Sequence, residues 1–352
     1  MTLLLSGVDS FTGIHPFLLV LAAAGLDRLV GDPRWCLHPV VVMGWWIRRL
    51  QQLSERWAGD RPWALRLAGG VITALLVGGS GGAGWLLEQW ALGRGLSDLR
   101  PAGLLALWIA LTSALAGRSL EQAVRSVLQA LPDVAAARTA LSWIVGRDTT
   151  ELNQAEIVRA AAETASENAV DGLFAPLFWM LVGAGLWSVG YGGAPGPLAL
   201  AWGFKAASTL DSMLGYRQGT LLWLGTAGAR LDDLLVWLPC RLVALSLPLA
   251  TGCGPGGCLQ GLVAALRDGV PDPSPNAGVS QAAYAHAAGV QLGGLNRYGD
   301  QLKVKPLLAA GSPRPNPAAV ERMLRLSLRL ELLWLLAGLA LGIAISAVGS
   351  VQ

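Results

Sequence analysis

Long apolar runs limit what this sequence can fold into. A helix needs roughly 20 apolar residues to cross the hydrocarbon core of a bilayer. Seven runs approach that length, and they cover residues 14–30, 64–87, 102–117, 173–190, 195–204 with an extension toward 210, 234–251 and 327–349. Several are short or interrupted by Gly or Pro, so the pattern predicts five to seven spans. We therefore expect an all-α integral membrane protein, a polytopic helix bundle with cytoplasmic amphipathic helices and loops.

Composition agrees with a membrane location and argues against one class of partner. Of the 352 residues, 53% are hydrophobic and 14% are charged, which is too apolar for an ordinary soluble domain. The formal net charge of +3 gives no argument for nucleic acid. The first run has no basic segment before it and contains His15, Pro16 and Asp27, so it lacks the pattern of a cleaved signal peptide.

The distribution of arginines predicts the orientation. The loop between the second and third spans carries only Arg94 and Arg100. Two other segments are richer: Arg48, Arg49, Arg56, Arg61 and Arg66 lie between the first two spans, and Arg118, Arg125, Arg138, Arg147 and Arg159 follow the third. Because basic loops are retained in the cytoplasm, the segments after spans one and three are predicted to be cytoplasmic and the N-terminus to lie outside.

Four polar segments separate the apolar runs, and no internal repeat divides the chain. They cover 27–47, 118–172, 204–235 and 267–325, and we expect 27–47, 118–172, 204–235 and 267–305 to form the site of a single membrane domain, 1–352. The second segment predicts two amphipathic helices, 118–131 and 149–171, with Asp148 as N-cap and Glu151 completing a capping box. Residues 256–268 are too short for an ordinary crossing, which predicts a re-entrant segment.

An acidic stripe marks the helix that runs into the fourth apolar run. At 100° per residue, Glu156, Glu163, Glu167 and Asp171 fall on one side, with Arg159 at the edge. Such a stripe is either solvated or occupied by a cation. Because ionisable groups at membrane depth are usually functional, the second alternative predicts a metal and nucleotide site. Carboxylates of this kind suit Mg²⁺.

Two further groups of polar residues lie at span ends. In "KAASTLDSM" the candidates are Lys205, Ser208, Thr209, Asp211 and Ser212, where hydroxyls and a lysine suit phosphate, although a snorkelling lysine and a helix cap also explain them. In "ARLDD" they are Arg230, Asp232 and Asp233. A positive-inside anchor explains the arginine but not two adjacent acids.

Other motifs are weaker. Asp32 in "GDPRW" and Asn276 in "SPNAG" are candidates, and two X-Pro bonds around Ser274 are expected to hold Asn276 out as a fixed hydrogen-bonding group. The glycines of "LGG" and "RYGD" (292–300) could let backbone amides approach a phosphate.

Several familiar motifs are missing or misleading. The sequence has no Walker A motif, which argues against a P-loop ATPase. Gly79, Gly81 and Gly84 match G-x-G-x-x-G, but they lie inside an apolar run and predict close helix packing. The three histidines have no ligand spacing for zinc, and the four cysteines, including the Cys253 and Cys258 pair, are interpreted as unremarkable thiols.

Taken together, a set of motifs resembles one family. They are "DRLVGDPRWCLHPVVVMGWWI", "LAGRSL", "LSWIVGRDT", "EIVRAAAETASENAVDGLFAPLFW", "KAASTLDSMLGYR", "ARLDDLL", "PCRL", "SPNAG" and "GVQLGG", in family order from about residue 25 to 300. The sequence is similar to the adenosylcobinamide-phosphate synthases of cobalamin biosynthesis, which are integral membrane proteins. The resemblance implies a multi-pass protein of the bacterial inner membrane whose active site faces the cytoplasm.

The activity that the resemblance implies is an ATP-dependent, amide-forming ligation. A propionate carboxylate of adenosylcobyric acid is joined to the amine of (R)-1-amino-2-propanol O-phosphate, and an acyl phosphate is the expected intermediate. Such chemistry needs ATP and Mg²⁺ together with several cations near the phosphates. Ethanolamine phosphate remains an alternative amine. Other membrane-associated enzymes of the same pathway are possible partners.

Residue types suggest roles within that reaction. Glu163, Glu167 and Asp171 would hold Mg²⁺ or position the nucleotide. Lys205 and Arg147 would neutralise phosphate, and Asp211, Asp232 or Asp233 would contact a second metal or deprotonate the amine. Asn276 and Ser274 would orient a substrate. The remaining candidates for substrate or nucleotide binding are Asp32, Asp148, Asn168, Ser208 and Arg230.

The sequence departs from the family pattern at a few positions. Members commonly read "ETVAENTVDG" where this chain has Ser166 and Ala169, and "NTLDSM" where it has Ser208. Val236 also stands in a region where members tend to have Asn. The acids are retained, so the reaction class is unaffected.

Two other functions compete with the ligase. One is a transporter, although paired hydrophobic halves are missing, and the other is a non-catalytic scaffold of corrinoid assembly.

Overall fold

A computed structural model describes residues 15–32, 38–94, 100–298 and 301–349. These residues form fourteen α-helices and one antiparallel hairpin. The first helices are α1 (Pro16–Val30), α2 (Pro39–Ala58), α3 (Pro62–Ala91), α4 (Arg100–Thr112), α5 (Gly117–Ala130), α6 (Val134–Ser142) and α7 (Gln154–Ala169). A π-helical turn, Val170–Phe174, precedes α8 (Ala175–Ser188), α9 (Pro197–Leu214), α10 (Leu221–Leu224), α11 (Thr226–Ala250), α12 (Pro255–Gly269) and α13 (Ala277–Ala288). Strands β1 (Leu292–Tyr298) and β2 (Gln301–Leu308) and helix α14 (Pro317–Gly349) follow.

Five helical stretches of the described chain are long and apolar enough to cross a membrane. They are Pro62–Ala91, Arg100–Ala130, Gln154–Ser188, Thr226–Ala250 and Pro317–Val348. This confirms the prediction of an all-α polytopic membrane protein. The runs 14–30 and 195–210 are not among the five. The first forms α1, whose 15 residues are few for a crossing, and the second forms α9, which carries Lys205 and Asp211.

The chain divides into two compact units. The first unit comprises residues 1–116, 175–235 and 335–352, and the second comprises 117–174 and 236–334. Whether the chain acts as a single membrane domain over 1–352 stays a prediction.

In the first unit, α3 packs along α9 and also contacts α2, α4 and α10. Close approach depends on Gly84, because a Cβ there would lie 2.9 Å from the Cα of Ala199. A Cβ on Gly81 would lie 3.3 Å from the carbonyl oxygen of Ala199, whereas one on Gly79 would meet nothing within 4 Å. The predicted packing role of the G-x-G-x-x-G glycines is therefore confirmed for Gly81 and Gly84.

Glu88 is a buried acid within the α3 span, and it was not among the predicted residues. Its carboxylate accepts hydrogen bonds from the backbone N–H groups of Gly196 (2.9 Å), Leu198 (2.6 Å) and Ala199 (3.1 Å). These amides begin α9, and the first amides of a helix have no carbonyl partner within it. Negative charge is also favourable at a helix N-terminus. Glu88 therefore caps α9 from a different helix.

In the second unit, α7 contacts α5, α6, α13 and β1. Helix α12 packs closely on α13, since a Cβ on Gly278 would lie 2.2 Å from the carbonyl oxygen of Gly269. Helix α5 ends at Ala130, just before Pro132, as predicted. Helix α6 and the β1–β2 hairpin were not predicted. The segment 256–268 lies within α12, and its re-entrant character stays a prediction.

The predicted N-cap of α7 was wrong. The helix begins at Gln154, and its N-cap is Asn153, whose side chain accepts a hydrogen bond from the Glu156 amide at 3.0 Å. Glu156 returns a bond to the amide of Asn153 and completes the capping box. Asp148 instead accepts hydrogen bonds from the amide and hydroxyl of Thr150, which closes a turn before the helix. Both positions offer an Asx side chain followed by Glu three residues later, so the local pattern could not separate them.

Candidate functional site

Glu163 is the centre of a buried group of ion pairs in the second unit. Its Oε2 accepts a hydrogen bond from Nη2 of Arg147 at 2.7 Å, and its Oε1 accepts one from Nη1 of Arg159 at 3.0 Å. The side chains of Arg147 and Glu163 are only 7% and 6% exposed. Arg147 also donates to the amide oxygen of Asn296. We call Glu163, Arg147, Arg159 and Asn296 the Glu163 cluster.

The hairpin brings backbone groups to this cluster through a bulge at Gly293. The pairing register shifts between Leu292 and Gly294, and Gly293 has φ 82°. Its N–H donates to Oε1 of Glu163 at 3.1 Å. A Cβ at Gly293 would lie 1.9 Å from the carbonyl oxygen of Pro306, so the bulge requires glycine. The amide that was expected to approach a phosphate thus serves Glu163. Residues 299 and 300 of "RYGD" lie outside the described residues.

Arg159 ties α7 to the same strand. Its Nη1 donates to the carbonyl oxygen of Gly293 and its Nη2 to that of Leu295, each at 2.7 Å. Strand alternation then turns Asn296 inward, because Leu295 is 55% exposed and Asn296 only 3%. A cavity of about 220 Å³ opens beside this contact, lined by Arg159, Gly294 and Arg314 among others.

The acids of the predicted stripe have separate partners. Glu156 belongs to the capping box, Glu163 binds two arginines, and Oε2 of Glu167 accepts a hydrogen bond from Nε2 of Gln281 at 2.7 Å. Asp171 lies in the π-helical turn, whose wider winding departs from the 3.6-residue period assumed for the stripe. Among the described residues, no group of three or more His, Cys, Asp or Glu side chains could hold a metal ion.

Glu167 has a polar environment of its own in the second unit. The charges of Lys305 and Asp272 act on its carboxylate, and Nζ of Lys305 lies 3.4 Å from Oδ2 of Asp272. Gln281 is 2% exposed, and its Oε1 has no hydrogen-bond partner within the described part of the chain. Gln281, Asp272 and Lys305 were not among the predicted site residues, although Asp272 begins the "DPSPNAG" motif.

Asn276 is buried, not held out as expected. Its side-chain oxygen accepts a hydrogen bond from Nη1 of Arg241, and its carbonyl accepts one from Sγ of Cys240. The charge of Asp171 acts on the same thiol, so Asp171 and Asn276 lie near the same cysteine. The hydroxyl of Ser274 accepts a hydrogen bond from the amide that begins α13. Prolines stiffen this loop, but tertiary packing turns it inward.

The first unit brings the two other predicted groups together. Asp232, on α11, experiences the charges of Asp211 and Lys205 on α9 and of its neighbour Asp233. The Oδ1 atom of Asp232 is buried and has no hydrogen-bond partner among the described residues. Ser208 lies on α9 and is partly buried. We call Lys205, Asp211, Asp232 and Asp233 the aspartate cluster.

The remaining predicted site residues lie elsewhere. Oδ1 of Asp32 lies 3.2 Å from Nε2 of His38, and Asp148 forms the turn before α7. Asn168 is partly buried on α7. Arg230 is exposed on α11, where its charge acts on Asp233. The catalytic or binding roles suggested for these residues stay predictions.

The interpretation of the cysteines as unremarkable thiols and of the histidines as lacking zinc-ligand spacing stays a prediction. Cys240, Cys253 and Cys258 are free cysteines, while Cys36 lies outside the described residues. His286 contacts Asp268, and His15 contacts Ser346.

These features define a polytopic helical membrane protein in which some of the predicted site residues lie around buried carboxylates. The sequence profile of the family described as CobD/Cbib protein matches residues 20–327. The chain belongs to this family, which confirms the resemblance found in its motifs.

Relatives match over nearly the whole chain. The "Cobalamin biosynthesis protein CobD" of Synechocystis sp. is 40% identical over 340 residues, which is 95% of each chain. The protein of the same name from Pelobacter propionicus is 40% identical over 316 residues, covering 89% of this chain and 91% of the relative. The "Cobalamin biosynthesis protein CbiB" of Salmonella typhimurium is 37% identical over 327 residues, covering 92% and 94%. No solved structure matches the chain.

Proposed function

We propose that this protein acts in cobalamin biosynthesis as an ATP-dependent ligase. It would join a carboxylate of adenosylcobyric acid to (R)-1-amino-2-propanol O-phosphate and release adenosylcobinamide phosphate. Family membership supports the pathway. The observation that carries the reaction class is the aspartate cluster, in which two separate sequence segments supply three acids and a lysine. Such a group suits proton transfer and phosphate chemistry at the end of a span.

Mg²⁺ fits one of the two predicted acidic groups better than the other. Both carboxylate oxygens of Glu163 accept hydrogen bonds from arginine or amide donors, so this residue does not fit a metal ligand. Asp232 has a buried oxygen without such a donor among the described residues. The negative charge of Asp211 acts on the Asp232 carboxylate. Mg²⁺ commonly binds one or two carboxylates together with substrate phosphates. Asp232 and Asp211 would hold Mg²⁺, which would offset charge on the phosphates of ATP.

The proposed reaction has two steps, and side chains of this protein would assist both. The corrinoid carboxylate oxygen attacks the γ-phosphorus of ATP, and the bond to ADP breaks. The amine then attacks the acyl carbon, and phosphate leaves with the former carboxylate oxygen. Lys205 would offset negative charge on phosphate, and Asp233 would accept the proton that the amine loses.

The proposal includes a location and partners. We propose a bacterial inner membrane protein with its site on the cytoplasmic side, where ATP is available. The lipid bilayer is one partner, and other membrane-associated enzymes of the pathway are candidates.

Reconstitution tests this function. Purified protein in nanodiscs would receive adenosylcobyric acid labelled with ¹⁸O in the reacting carboxylate, aminopropanol phosphate and Mg-ATP. We expect equal amounts of ADP and amide product by mass spectrometry, with one ¹⁸O in the released phosphate. Asp232→Asn should abolish product, while Asp60→Asn, an exposed acid of the same unit, should not. A parallel reaction with ethanolamine phosphate identifies the preferred amine. Folded protein without product would reject the ligase in favour of a transporter or scaffold.

A further inference from the structure

A second charged cavity lies in the first unit, beside the aspartate cluster. Its volume is about 330 Å³, within the range of small-ligand sites. Three arginines line it, and each comes from a different part of the fold: Arg66 from α3, Arg217 from the loop after α9, and Arg230 from α11. We call this cavity the arginine pocket. In the sequence, Arg66 served only to predict the orientation, and Arg217 was not among the predicted site residues.

The residues that line the arginine pocket carry a net positive charge. Asp233 is the one carboxylate among its described lining residues, and the charges of Arg230 and Arg217 both act on it. Three guanidinium groups and one carboxylate leave an excess of two positive charges. A cleft lined mainly by one sign of charge attracts ligands of the opposite charge.

The three arginines also differ from those of the Glu163 cluster. Arg147 and Arg159 each donate at least two hydrogen bonds to protein oxygens. Within the described residues, the guanidinium groups of Arg66, Arg217 and Arg230 donate none. All three are exposed. Their donors are therefore available to a ligand.

A tryptophan side chain lies against one of the three arginines. The guanidinium carbon of Arg66 lies 4.4 Å from the ring centre of Trp223, which places the cation over an aromatic face. A guanidinium placed in this way still presents its N–H edge, which matches two oxygens of a phosphate. Arginine also keeps its charge at any physiological pH, so the pocket remains positive.

We propose that the arginine pocket binds the phosphoryl group of a phosphorylated substrate. Asp233 belongs both to this pocket and to the aspartate cluster, so a phosphate held here would lie next to the acids assigned to catalysis. The identity of the substrate, ATP or the amino-alcohol phosphate, rests on the proposed function. The phosphate chemistry itself rests only on the pocket.

Direct binding tests the proposal without requiring turnover. The full-length protein in nanodiscs of neutral lipid is titrated with ATP, ADP, inorganic phosphate, aminopropanol phosphate and unphosphorylated 1-amino-2-propanol. Arg66→Gln, Arg217→Gln and Arg230→Gln should each weaken binding of at least one phosphorylated ligand by about 10- to 100-fold, the usual effect of losing a charged hydrogen bond. The matched control is Arg49→Gln, since Arg49 also lies over a tryptophan, Trp45, but does not line the pocket. It should bind every ligand as the unmodified protein does.

Three outcomes would overturn the proposal. The first is unchanged binding in all three pocket variants, and the second is an equal loss in Arg49→Gln. The third arises in nanodiscs that contain anionic lipid. If such lipid displaces the phosphate probes, and the variants lose affinity for lipid but not for nucleotide or amino-alcohol phosphate, the pocket serves a lipid headgroup.

The two proposals fail separately. If no amide forms but phosphate binding depends on the arginines, the result supports the pocket proposal and contradicts the ligase proposal. If amide forms and the pocket variants keep the same KM for both phosphorylated substrates, the result supports the ligase proposal and contradicts the pocket proposal.

Discussion

At the scale of single residues, Glu163 links parts of the second unit that are far apart in the sequence. One oxygen binds Arg147, which precedes α7, and the other binds Arg159 on α7 and the amide of Gly293 in the hairpin. Two arginines around one buried carboxylate leave the group with a positive charge. The cluster is thus better suited to hold positive groups in place than to bind a cation.

Replacing Glu163 by Gln should lower the stability of the protein. The amide cannot accept bonds at both positions, and its NH₂ group would face a guanidinium. Loss of one partner of a buried ion pair typically costs about 3 to 5 kcal/mol. Thermal unfolding in detergent, followed by circular dichroism, measures the loss. Glu156→Gln on the same helix keeps a capping side chain and should cost about 1 kcal/mol or less. Equal losses in the two variants would contradict the assigned role.

Asp268 predicts an acid-sensitive contribution to stability. Partial burial opposes ionisation, but hydrogen bonds from Arg267, the Ala309 amide and His286 outweigh it and lower the pKa of Asp268 from 3.8 to about 2. Because the folded pKa lies below the unfolded one, the contribution is complete above about pH 4. It is lost as the pH falls through about 2.

The variant Asp268→Asn should remove this acid dependence. It should reduce stability at neutral pH by about 1 kcal/mol, since the group is partly exposed and screened. Between about pH 4 and pH 2 the difference from the unmodified protein should shrink. Unfolding temperatures measured across this range test the prediction, with Asp60→Asn as control. A difference that stays constant with pH would contradict it.

At the scale of elements, helix packing depends on where small residues face. Gly84 faces the backbone of α9, whereas a Cβ on Gly82, two positions earlier in α3, would meet nothing within 4 Å. Both residues are glycines in the same apolar run, so composition does not separate them. The direction of each side-chain position decides the effect of a substitution.

The same substitution should therefore have opposite effects at these two positions. Gly84→Ala should destabilise the protein by about 1 to 3 kcal/mol, because the methyl group forces the two helices apart. Gly82→Ala should be neutral or stabilising by up to about 1 kcal/mol, because alanine favours the helix. Thermal unfolding in the same detergent compares them. A loss at Gly82 as large as that at Gly84 would reject the assigned contact.

Two elements depart from the periodicity used for prediction, helix α7 at its end and the β1–β2 hairpin. The stripe assumed one α-helix through 149–171, but the helix begins at Gln154 and becomes π-helical at Val170. Glu163 and Glu167 keep their expected helix, whereas Asp171 enters a different winding. The hairpin at 292–308 has a bulge and small residues, so its alternation was too weak to read.

At the scale of the whole molecule, the arginine distribution predicts which side each loop faces. Residues 190–195 are expected outside and 204–235 in the cytoplasm, so α9 is expected to cross although it is not among the five long apolar stretches. Tyr191→Cys and Gln218→Cys test this prediction within the first unit, since both positions are exposed.

Labelling of these variants with an impermeant maleimide in intact cells gives the orientation. Cys36 and Cys253 are replaced by Ser beforehand. We expect Cys at position 191 to react directly and Cys at position 218 to react only after permeabilisation. Reaction of both from the same side would show that α9 does not cross, and it would contradict the proposed cytoplasmic site.

Sequence patterns are sufficient to predict the class of fold and the set of charged candidates. Apolar runs near 20 residues require helices, because a bilayer core offers no hydrogen-bond partner to the backbone. Family motifs identified the relatives, and residue type identified acids such as Glu163 and Asp232 as unusual for their surroundings.

The partners of these acids depend on tertiary packing. Glu163 binds Arg147 and the hairpin, Glu88 caps α9, and Asp232 meets Asp211 and Lys205. Each of these contacts joins segments separated in the chain. Local periodicity records which face of a helix a residue occupies, but it contains nothing about what packs against that face. Packing supplies the partner, and the partner determines whether a buried acid holds an arginine, caps a helix or remains available to a ligand.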